Sequence, residues 1–491
     1  MKKIIKFNTA ILIILLLNAC SKDFLDVNVD PNNPSSATPE LVFPAAVLSA
    51  AGQIGGYYNI VGGIWSQYWT QNNASNQYKN YDGFSIQPTD LNGNFTELYA
   101  GCLNDLRFVK EKSKEASNWS FYLMATVMEA YTFQFLADVY DQIPFTEACQ
   151  GATGIFTPKY NTGQEVYDGI VARIDTALIK DLNASTVKDP GDADFLFGGD
   201  MDSWIQFANT LKLKIFLRQA YARPSIAQAG VTALYTAGGN FLGQDAAVTQ
   251  FIDEAGKSNP LYESDQRQLN TDQNLKASMT FFSWLASTAD PRLAKLYIPG
   301  SGGQKAMEQG DFNQPTTVLI ATTVSRALLH AVDPVYFVSE AESYFLQAEA
   351  VLRGWGTGNV KTLYDAGVTA AFAKYGLDAS ALIDVDGDYE YPAAGTTEAK
   401  LKAIIIQKWA SMAGSQGMEA FFEHNRTGYP EYSTVRATNV AYKPGQFCYP
   451  INGVTAGSWA KRLLFPDTEK SRNPNTPAQI PITTKVWWDK K

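Results

Sequence analysis

The sequence predicts a mainly α-helical fold, with paired helices and a loop-rich half that contains few short strands. Two observations lead to this class. Several segments repeat apolar residues at helical spacing and end at a glycine or a proline. Between them lie long stretches rich in Gly, Asn, Pro and Asp, notably 71–94, 241–272 and 300–315. Loops of this length inside a compact domain are uncommon and are often functional.

The clearest helical pair is predicted over residues 339–376. Ser339 and Glu342 form an S-x-x-E capping box, and the helix that they begin ends at Gly354. A second helix runs from about Asn359 to Gly376. Two helices in a span close to about 34 residues are typical of a tetratricopeptide-like unit. Similar pairs are predicted over 98–140 and 165–221, and a further helix over 398–412.

Three local predictions complete the secondary structure. The segment from Trp119 to shortly before Pro144 has the spacing of a long amphipathic helix. Another helix begins near Asp200 or Asp202, either of which can cap its first amides. The stretch "TTVLIATTV", residues 316–324, is rich in β-branched residues and predicts a short strand.

The first twenty residues have the pattern of a secretory signal peptide. Three lysines within the first six residues precede an apolar run from Ala10 to Leu17, which is too short to span a bilayer. The junction Leu17-Asn18-Ala19-Cys20 resembles a bacterial lipobox, in which the cysteine becomes an acylated N-terminus. We therefore predict a signal peptide over 1–19, lipidation at Cys20 and a single domain over 20–491. The alternative is a plain secreted protein.

Composition excludes several function classes. The net charge of −9 and a pI near 5.0 argue against nucleic-acid binding, which needs a basic surface. Histidine occurs only at His330 and His424, so a catalytic triad or a histidine-ligated metal would have to use one of these two. We predict no cofactor and no metal. With 45% hydrophobic residues the chain can bury a large core.

The remaining cysteines and one acidic segment leave alternatives open. Cys102, Cys149 and Cys448 are an odd number, so at least one thiol is unpaired, and a disulfide between Cys102 and Cys149 is one possibility. The segment "DVDGDYE", residues 384–390, is dense in oxygen ligands, but it departs from the EF-hand order of glycine and glutamate. A solvated acidic turn is favoured over a calcium site.

Aromatic residues make up 13% of the chain and often stand among amides and hydroxyls. That mixture suits a neutral polar ligand such as a sugar, whose ring offers an apolar face and hydroxyl groups. Trp65, Tyr68 and Trp69 would share one face of a helix, most simply in the core. Tyr78 and Tyr81 lie in an Asn-rich loop without apolar periodicity. The candidate ligand-binding residues are Trp69, Asn72, Tyr78 and Tyr81.

Other aromatic and cationic residues favour structural roles. Trp284 and Trp355 are predicted to pack in the protein interior, and Trp487 and Trp488 to dock the C-terminal tail. Arg426 and Arg462 are predicted to bind carboxylates or other acceptors, since the planar guanidinium suits such partners.

A series of motifs resembles SusD/RagB-type outer-membrane nutrient-binding lipoproteins, the SusD-like family. The motifs are, in order, "ADVYDQIPFTEA", "TPKYNTGQEVYDGI", "FGGDMDSWIQFANTLKLKIFLR", "SEAESYFLQAEAVLRGW", "FFEHNRTGYP" and "TKVWWD". The resemblance implies a SusD-like fold, a lipid-anchored position at the cell outer membrane facing the exterior, and a SusC-type TonB-dependent transporter as partner. It also implies capture of a glycan without catalysis.

Three other functions stay open at this point. Relatives of the RagB type imply oligopeptide capture as an alternative to oligo- or polysaccharide binding. A glycoside hydrolase would need two carboxylates about 5 to 10 Å apart, and 49 acidic residues always allow such a pair on paper. Helical arrays also serve as scaffolds that bind other proteins.

Overall fold

The computed structural model describes residues 37–491, so the predicted signal peptide and Cys20 lie outside the described residues. No helix within 37–491 combines the length and the apolar character needed to cross a bilayer. The helices are α1 (Pro39–Gly55), α2 (Tyr57–Trp65), α3 (Lys79–Asp82), α4 (Asn92–Glu97), α5 (Asn104–Glu115), α6 (Trp119–Tyr140), α7 (Gly163–Leu178), α8 (Met201–Arg218), α9 (Pro224–Thr236), α10 (Pro260–Tyr262), α11 (Met279–Ser287), α12 (Leu293–Leu296), α13 (Glu340–Leu352), α14 (Val360–Ala373), α15 (Ser380–Ile383), α16 (Thr397–Ser411), α17 (Gly417–Thr427) and α18 (Asp467–Arg472).

The strands are short and antiparallel. They are β1 (Trp69–Gln71), β2 (Gln142–Pro144), β3 (Tyr160–Thr162), β4 (Ala246–Val248), β5 (Leu275–Ala277), β6 (Tyr297–Ile298), β7 (Arg326–Ala327) and β8 (Val335–Val338). One sheet has the order β1-β5-β7-β6, while β2 pairs with β3 and β4 with β8. In the larger sheet Trp69 lies opposite Ala277. The prediction of a mainly helical fold with few short strands is confirmed.

The predicted helical pairs are present, with one change in partner. Helix α13 packs along α14, and α5 packs along α6, as expected. Ser339 caps α13, because its Oγ accepts a hydrogen bond from the amide of Glu342 (3.2 Å). Asp200 caps α8 in the same way through the amide of Asp202. Helix α7, however, packs mainly against α6 and only slightly against α8.

Helix α6 is not amphipathic as predicted, because it is buried on all sides. Only Trp119 and Tyr122 along its length keep appreciable solvent exposure. Its acidic residues pair with charged side chains of neighbouring segments: Asp138 contacts the buried Arg218, and Glu129 contacts the partly exposed Lys110 and Arg173. Sequence periodicity cannot distinguish a solvated polar stripe from one that meets other buried polar groups.

The central charges of the helical half form a single buried cluster, here called the ion cluster. It joins α6, α8, α13, α16 and α17. Its members are Asp138, Lys214, Arg218, Glu342, Glu349, Lys408, Glu419, Glu423 and Arg426. The predicted role of Arg426 is confirmed, since it makes paired hydrogen bonds to Glu349 (2.7 and 2.6 Å). The glutamate half of the predicted capping box fails because the Glu342 carboxylate binds Lys214 (3.2 Å).

The tail packs as expected, and the three cysteines within residues 37–491 are free. The indole of Trp488 donates a hydrogen bond to Asp138 (2.8 Å), which places the end of the chain against α6. Arg462 donates to the carbonyl of Tyr140. Cys102 and Cys149 form no disulfide in the structure, and burial raises the pKa of both thiols to about 12.

The predicted strand at 316–324 was wrong. The segment forms turns, because the amides of Val318 and Leu319 both donate to the carbonyl of Pro315 (2.9 and 3.0 Å). Val318 and Ile320 are 70% and 56% exposed, so their β-branched side chains do not pack into a sheet. Proline at the start of a turn determines the local backbone more strongly than β-propensity does.

Candidate functional site

The four predicted binding residues lie close together in the loop-rich half, but their side chains are covered. Trp69, Asn72, Tyr78 and Tyr81 are 3%, 3%, 2% and 6% exposed. The expectation that nothing buries the two tyrosines was therefore wrong. Direct ligand contact by these four residues stays a prediction, since it would require movement of the segments that cover them.

Trp69 is part of the sheet and not of a helix. Helix α2 ends at Trp65, and the backbone of Gln67 adopts a positive φ of 57° that turns the chain into β1. The Trp69 ring packs against Gly63, where an added Cβ would come within 2.4 Å of the ring. The interior role that the spacing of Trp65, Tyr68 and Trp69 suggested is thus confirmed, although the shared helical face is not.

Asn72, Tyr78 and Tyr81 shape the loop that follows β1. The Asn72 amide donates to the carbonyl of Gln273 (2.8 Å), and its oxygen accepts from the amide of Ala74 (2.8 Å). The rings of Tyr78 and Tyr81 stack with centroids 6.0 Å apart and 15° between planes. The polar and aromatic side chains of the loop therefore hold it in place.

A buried carboxylate ties this loop to the 300–315 segment. Asp82 accepts hydrogen bonds from the Thr70 hydroxyl (2.6 Å), the Gln71 amide (2.8 Å) and the Gln309 side chain (2.5 Å). Burial raises the pKa of Asp82 to about 6, although these donors favour the ionised form. Because Gln309 also donates to the carbonyl of Trp69 (3.1 Å), the two loops that the sequence singled out form one unit.

Next to this unit lies a cluster of aromatic side chains that reaches the surface, here called the aromatic platform. Its members are Phe84, His424, Tyr432, Phe447, Tyr449 and Trp459. The rings of Tyr432 and Trp459 stack at 4.2 Å with 26° between planes. Tyr432 is 37% exposed and Trp459 is partly exposed, whereas Phe447 is fully buried beneath them.

Backbone hydrogen bonds and a contact with the loop after α3 hold the aromatic platform in place. The backbone amide of Phe447 donates to the carbonyl of Glu431 (2.8 Å), and the amide of Ser433 donates to the carbonyl of Phe447 (2.8 Å). These two bonds fix Tyr432 between them. Phe84 belongs to the loop after α3, and its ring lies 6.3 Å from that of Trp459. The platform is therefore attached to the same loop that carries Tyr78 and Tyr81.

The platform carries no charge of its own. His424 stacks on Phe447 at 4.3 Å and contacts the edge of Tyr432 at 4.9 Å. Burial, together with the nearby Lys461 ammonium, lowers the pKa of His424 to about 3, so the imidazole is neutral at physiological pH. A neutral aromatic surface suits an uncharged polar ligand.

Sequence reasoning missed Tyr432 and Trp459. They stand in a loop-rich segment, 428–460, that contains Gly, Asn, Thr and Pro together with six aromatic residues. The composition resembles that of the 71–94 loop, which was singled out. The signal was therefore present, but the stacking partners are 27 positions apart and follow no periodicity.

The acidic turn at 384–390 is held by its own hydrogen bonds. In the turn at 384–390, the Asp384 and Glu390 carboxylates accept hydrogen bonds from backbone amides of the same turn (2.8 and 3.0 Å). Within residues 37–491, no group of three or more His, Cys, Asp or Glu side chains is placed to hold a metal ion.

A helical scaffold with a rigid loop-rich face and a partly exposed aromatic surface defines a ligand-binding protein. The sequence matches, over residues 31–450, a SusD-like family model described as "Starch-binding associating with outer membrane". The chain belongs to this SusD-like family. The resemblance inferred from the ordered motifs is confirmed.

Solved structures share the same fold. A SusD homologue from Bacteroides uniformis is 22% identical, with a TM-score of 0.74, and the match covers 92% of this chain and 99% of that one. A chitin-binding SusD homologue from Flavobacterium johnsoniae is 22% identical, with a TM-score of 0.75 and coverage of 91% and 98%. A SusD-like protein from Bacteroides thetaiotaomicron is 20% identical, with a TM-score of 0.71 and coverage of 92% and 99%. No curated protein matches the chain.

Proposed function

We propose that this protein binds oligo- or polysaccharides at the cell surface without chemically changing them. The observation that carries the proposal is the stacked pair of Tyr432 and Trp459, which is partly exposed on the loop-rich face. A sugar ring can lie against such an aromatic surface while its hydroxyl groups bond to neighbouring side chains. The starch-binding description of the family and the chitin-binding homologue support a glycan as the ligand class.

The test is a binding panel with soluble starch, chitin oligosaccharides and mixed oligopeptides, followed by titration calorimetry on the best ligand. Replacing Trp459 with Ala should weaken glycan binding by about 1 kcal/mol or more, roughly fivefold, because a stacking surface is lost. The melting temperature should change little, since the Trp459 side chain is partly exposed. The control is Trp119→Ala, which removes a partly exposed tryptophan at the start of α6.

Each outcome of the panel points to a different function. Binding of peptides but not glycans would favour the RagB-type alternative, and release of reducing ends would show a glycoside hydrolase.

Alanine variants at Trp69, Asn72, Tyr78 and Tyr81 form a second set. We expect these changes to lower the melting temperature, because the side chains are covered. Weaker glycan binding at an unchanged melting temperature would instead place them in the ligand site.

We further propose that the protein is anchored in the outer membrane through lipid on Cys20 and delivers its ligand to a SusC-type TonB-dependent transporter. The family description, which names association with the outer membrane, supports this location. The loop-rich face also exposes Val318, Ile320, Val440 and Val454, each at least 56% exposed. Exposed apolar side chains of this kind can be covered by a partner protein.

The partner proposal is tested by mild detergent extraction of the outer membrane and affinity purification of this chain. We expect a TonB-dependent barrel protein, identified by mass spectrometry, to co-purify in about equal amounts. A variant with Val440 and Val454 both replaced by Asp should lose the barrel while keeping its glycan affinity. Recovery of the native chain without any barrel protein would contradict the delivery proposal and leave the glycan proposal standing.

A further inference from the structure

A second cleft lies apart from the aromatic platform and shares no residue with it. It is formed where the C-terminal end of α14 meets β8 and the loop between α16 and α17, and it has a volume of about 400 Å³. Its lining includes Lys295, His330, Asp333, Tyr336, Lys374, Tyr375 and Ser415.

The ammonium group of Lys374 is the central feature of the cleft. Its Nζ donates a hydrogen bond to the Ser415 hydroxyl (2.7 Å) and lies 4.5 Å from the centroid of the Tyr336 ring. The Tyr375 ring lies 5.4 Å from the same nitrogen. Within residues 37–491 no carboxylate approaches this Nζ closely enough to form an ion pair. An ammonium has three donors, so two remain for another acceptor.

The positive charge of Lys374 is only partly compensated. Burial lowers the pKa of Lys374 to about 8, while the more distant carboxylates of Asp245 and Asp333 oppose that shift. A covered charge without a close partner is costly, and binding of an anion recovers part of that cost. The surroundings of Lys374 are thus arranged to favour a negatively charged group.

The other charged side chains at the cleft do not supply a close negative partner for Lys374. Asp333 already pairs with His330, since its carboxylate lies 3.2 Å from the Nδ1 of His330 and also accepts from the amide of His330 (2.8 Å). Lys295 is exposed on the rim and adds a second cation. The lining of the cleft thus carries two lysines against one carboxylate, on a chain whose net charge is −9.

We propose that this cleft is a second binding site, which takes a sugar bearing a carboxylate, such as a uronic acid. The Lys374 ammonium would pair with the carboxylate, the Ser415 hydroxyl would hold the ammonium in place, and the Tyr336 and Tyr375 rings would flank the sugar ring. The site is separate from the aromatic platform, so its failure leaves the proposed function unchanged.

The first test is calorimetric or NMR titration of the protein with sodium glucuronate at pH 7, with glucose and sodium acetate as comparison ligands. We expect saturable binding of glucuronate that is at least tenfold tighter than binding of glucose or acetate. Lys374→Met keeps most of the side-chain length and should weaken glucuronate binding at least tenfold. The control is Lys361→Met on α14, which removes an exposed lysine paired with Asp365 (2.6 Å) outside the cleft.

A second measurement needs no variant. Glucuronate should slow the acetylation of Lys374 by acetic anhydride at least threefold, as read by peptide mass spectrometry, while the acetylation of Lys361 stays the same. The proposal is overturned if glucuronate does not saturate, if acetate or glucose binds equally well, or if Lys374 is not protected. It is also overturned if a folded Lys374→Met protein binds glucuronate as the unchanged protein does.

Discussion

Replacing Arg426 with Met is expected to lower the free energy of unfolding by about 3 to 5 kcal/mol, because it removes a cation and four hydrogen bonds that two buried carboxylates share. The Arg426 side chain is fully buried and donates to both Glu349 and Glu423, each through two hydrogen bonds of 2.6 to 2.9 Å. Its guanidinium and that of Arg353 hold the pKa of Glu349 at about 2 in spite of burial. Without Arg426 the pKa of each glutamate should rise, because Arg353 alone remains at Glu349, and Arg218 and Lys408 at Glu423.

The measurement is urea unfolding followed by circular dichroism at pH 7. The free energy of unfolding of Arg426→Lys should lie between that of Arg426→Met and that of the unchanged protein, since lysine keeps the charge but not the planar fork. The control is Lys112→Met, which removes a solvent-exposed ion pair with Glu115 (2.8 Å) and should cost less than about 1 kcal/mol. Equal losses for Arg426→Met and Lys112→Met would show that the ion cluster does not stabilise the junction of α13 and α17.

The helices could be predicted because their signals are local. Ser339, Asp200 and Gly354 act within a few residues of the helix ends that they define, and Gly354 adopts the positive φ (72°) that ends α13. Glu342 shows the limit of such reasoning. Its spacing from Ser339 is that of a capping box, yet its carboxylate binds Lys214, which is 128 positions away. A short motif identifies where a helix begins but not which distant charge takes its side chain.

The aromatic residues were harder to place for the same reason. The spacing of Trp65, Tyr68 and Trp69 predicts a helical face, but the indole of Trp65 bonds to the carbonyl of Tyr81 (3.0 Å), beyond the end of α2. Tyr78 and Tyr81 are buried by contacts with other loops, which no periodicity reveals. Tyr432 and Trp459 reach the surface because the 428–460 segment folds back on Phe84. Exposure in a loop-rich half depends on how loops pack together.

Asp265 is expected to make the protein less stable as the pH rises, and Asp265→Asn should remove this effect. The Asp265 side chain is fully buried, and neither carboxylate oxygen has a hydrogen-bond partner within residues 37–491. Burial raises its pKa from 3.8 to about 7, although the Tyr78 and Asn274 side chains favour the charged form. The folded protein therefore holds a proton between about pH 4 and pH 7 that the unfolded chain releases.

The sign and size of the effect follow from this difference in bound protons. Stability falls as the pH rises through that window and levels off above it, with an upper limit of roughly 4 kcal/mol at about 1.4 kcal/mol for each pH unit. Asp265→Asn cannot ionise, so its melting temperature should equal that of the unchanged protein near pH 4 and exceed it by several degrees at pH 8. Asp192→Asn, on an exposed turn, should track the unchanged protein at both pH values. If the difference between Asp265→Asn and the unchanged protein is the same at pH 4 and pH 8, the carboxyl of Asp265 is not protonated in the folded state at neutral pH. The loop carrying Tyr78 would then rest against a buried charge instead of a neutral acid.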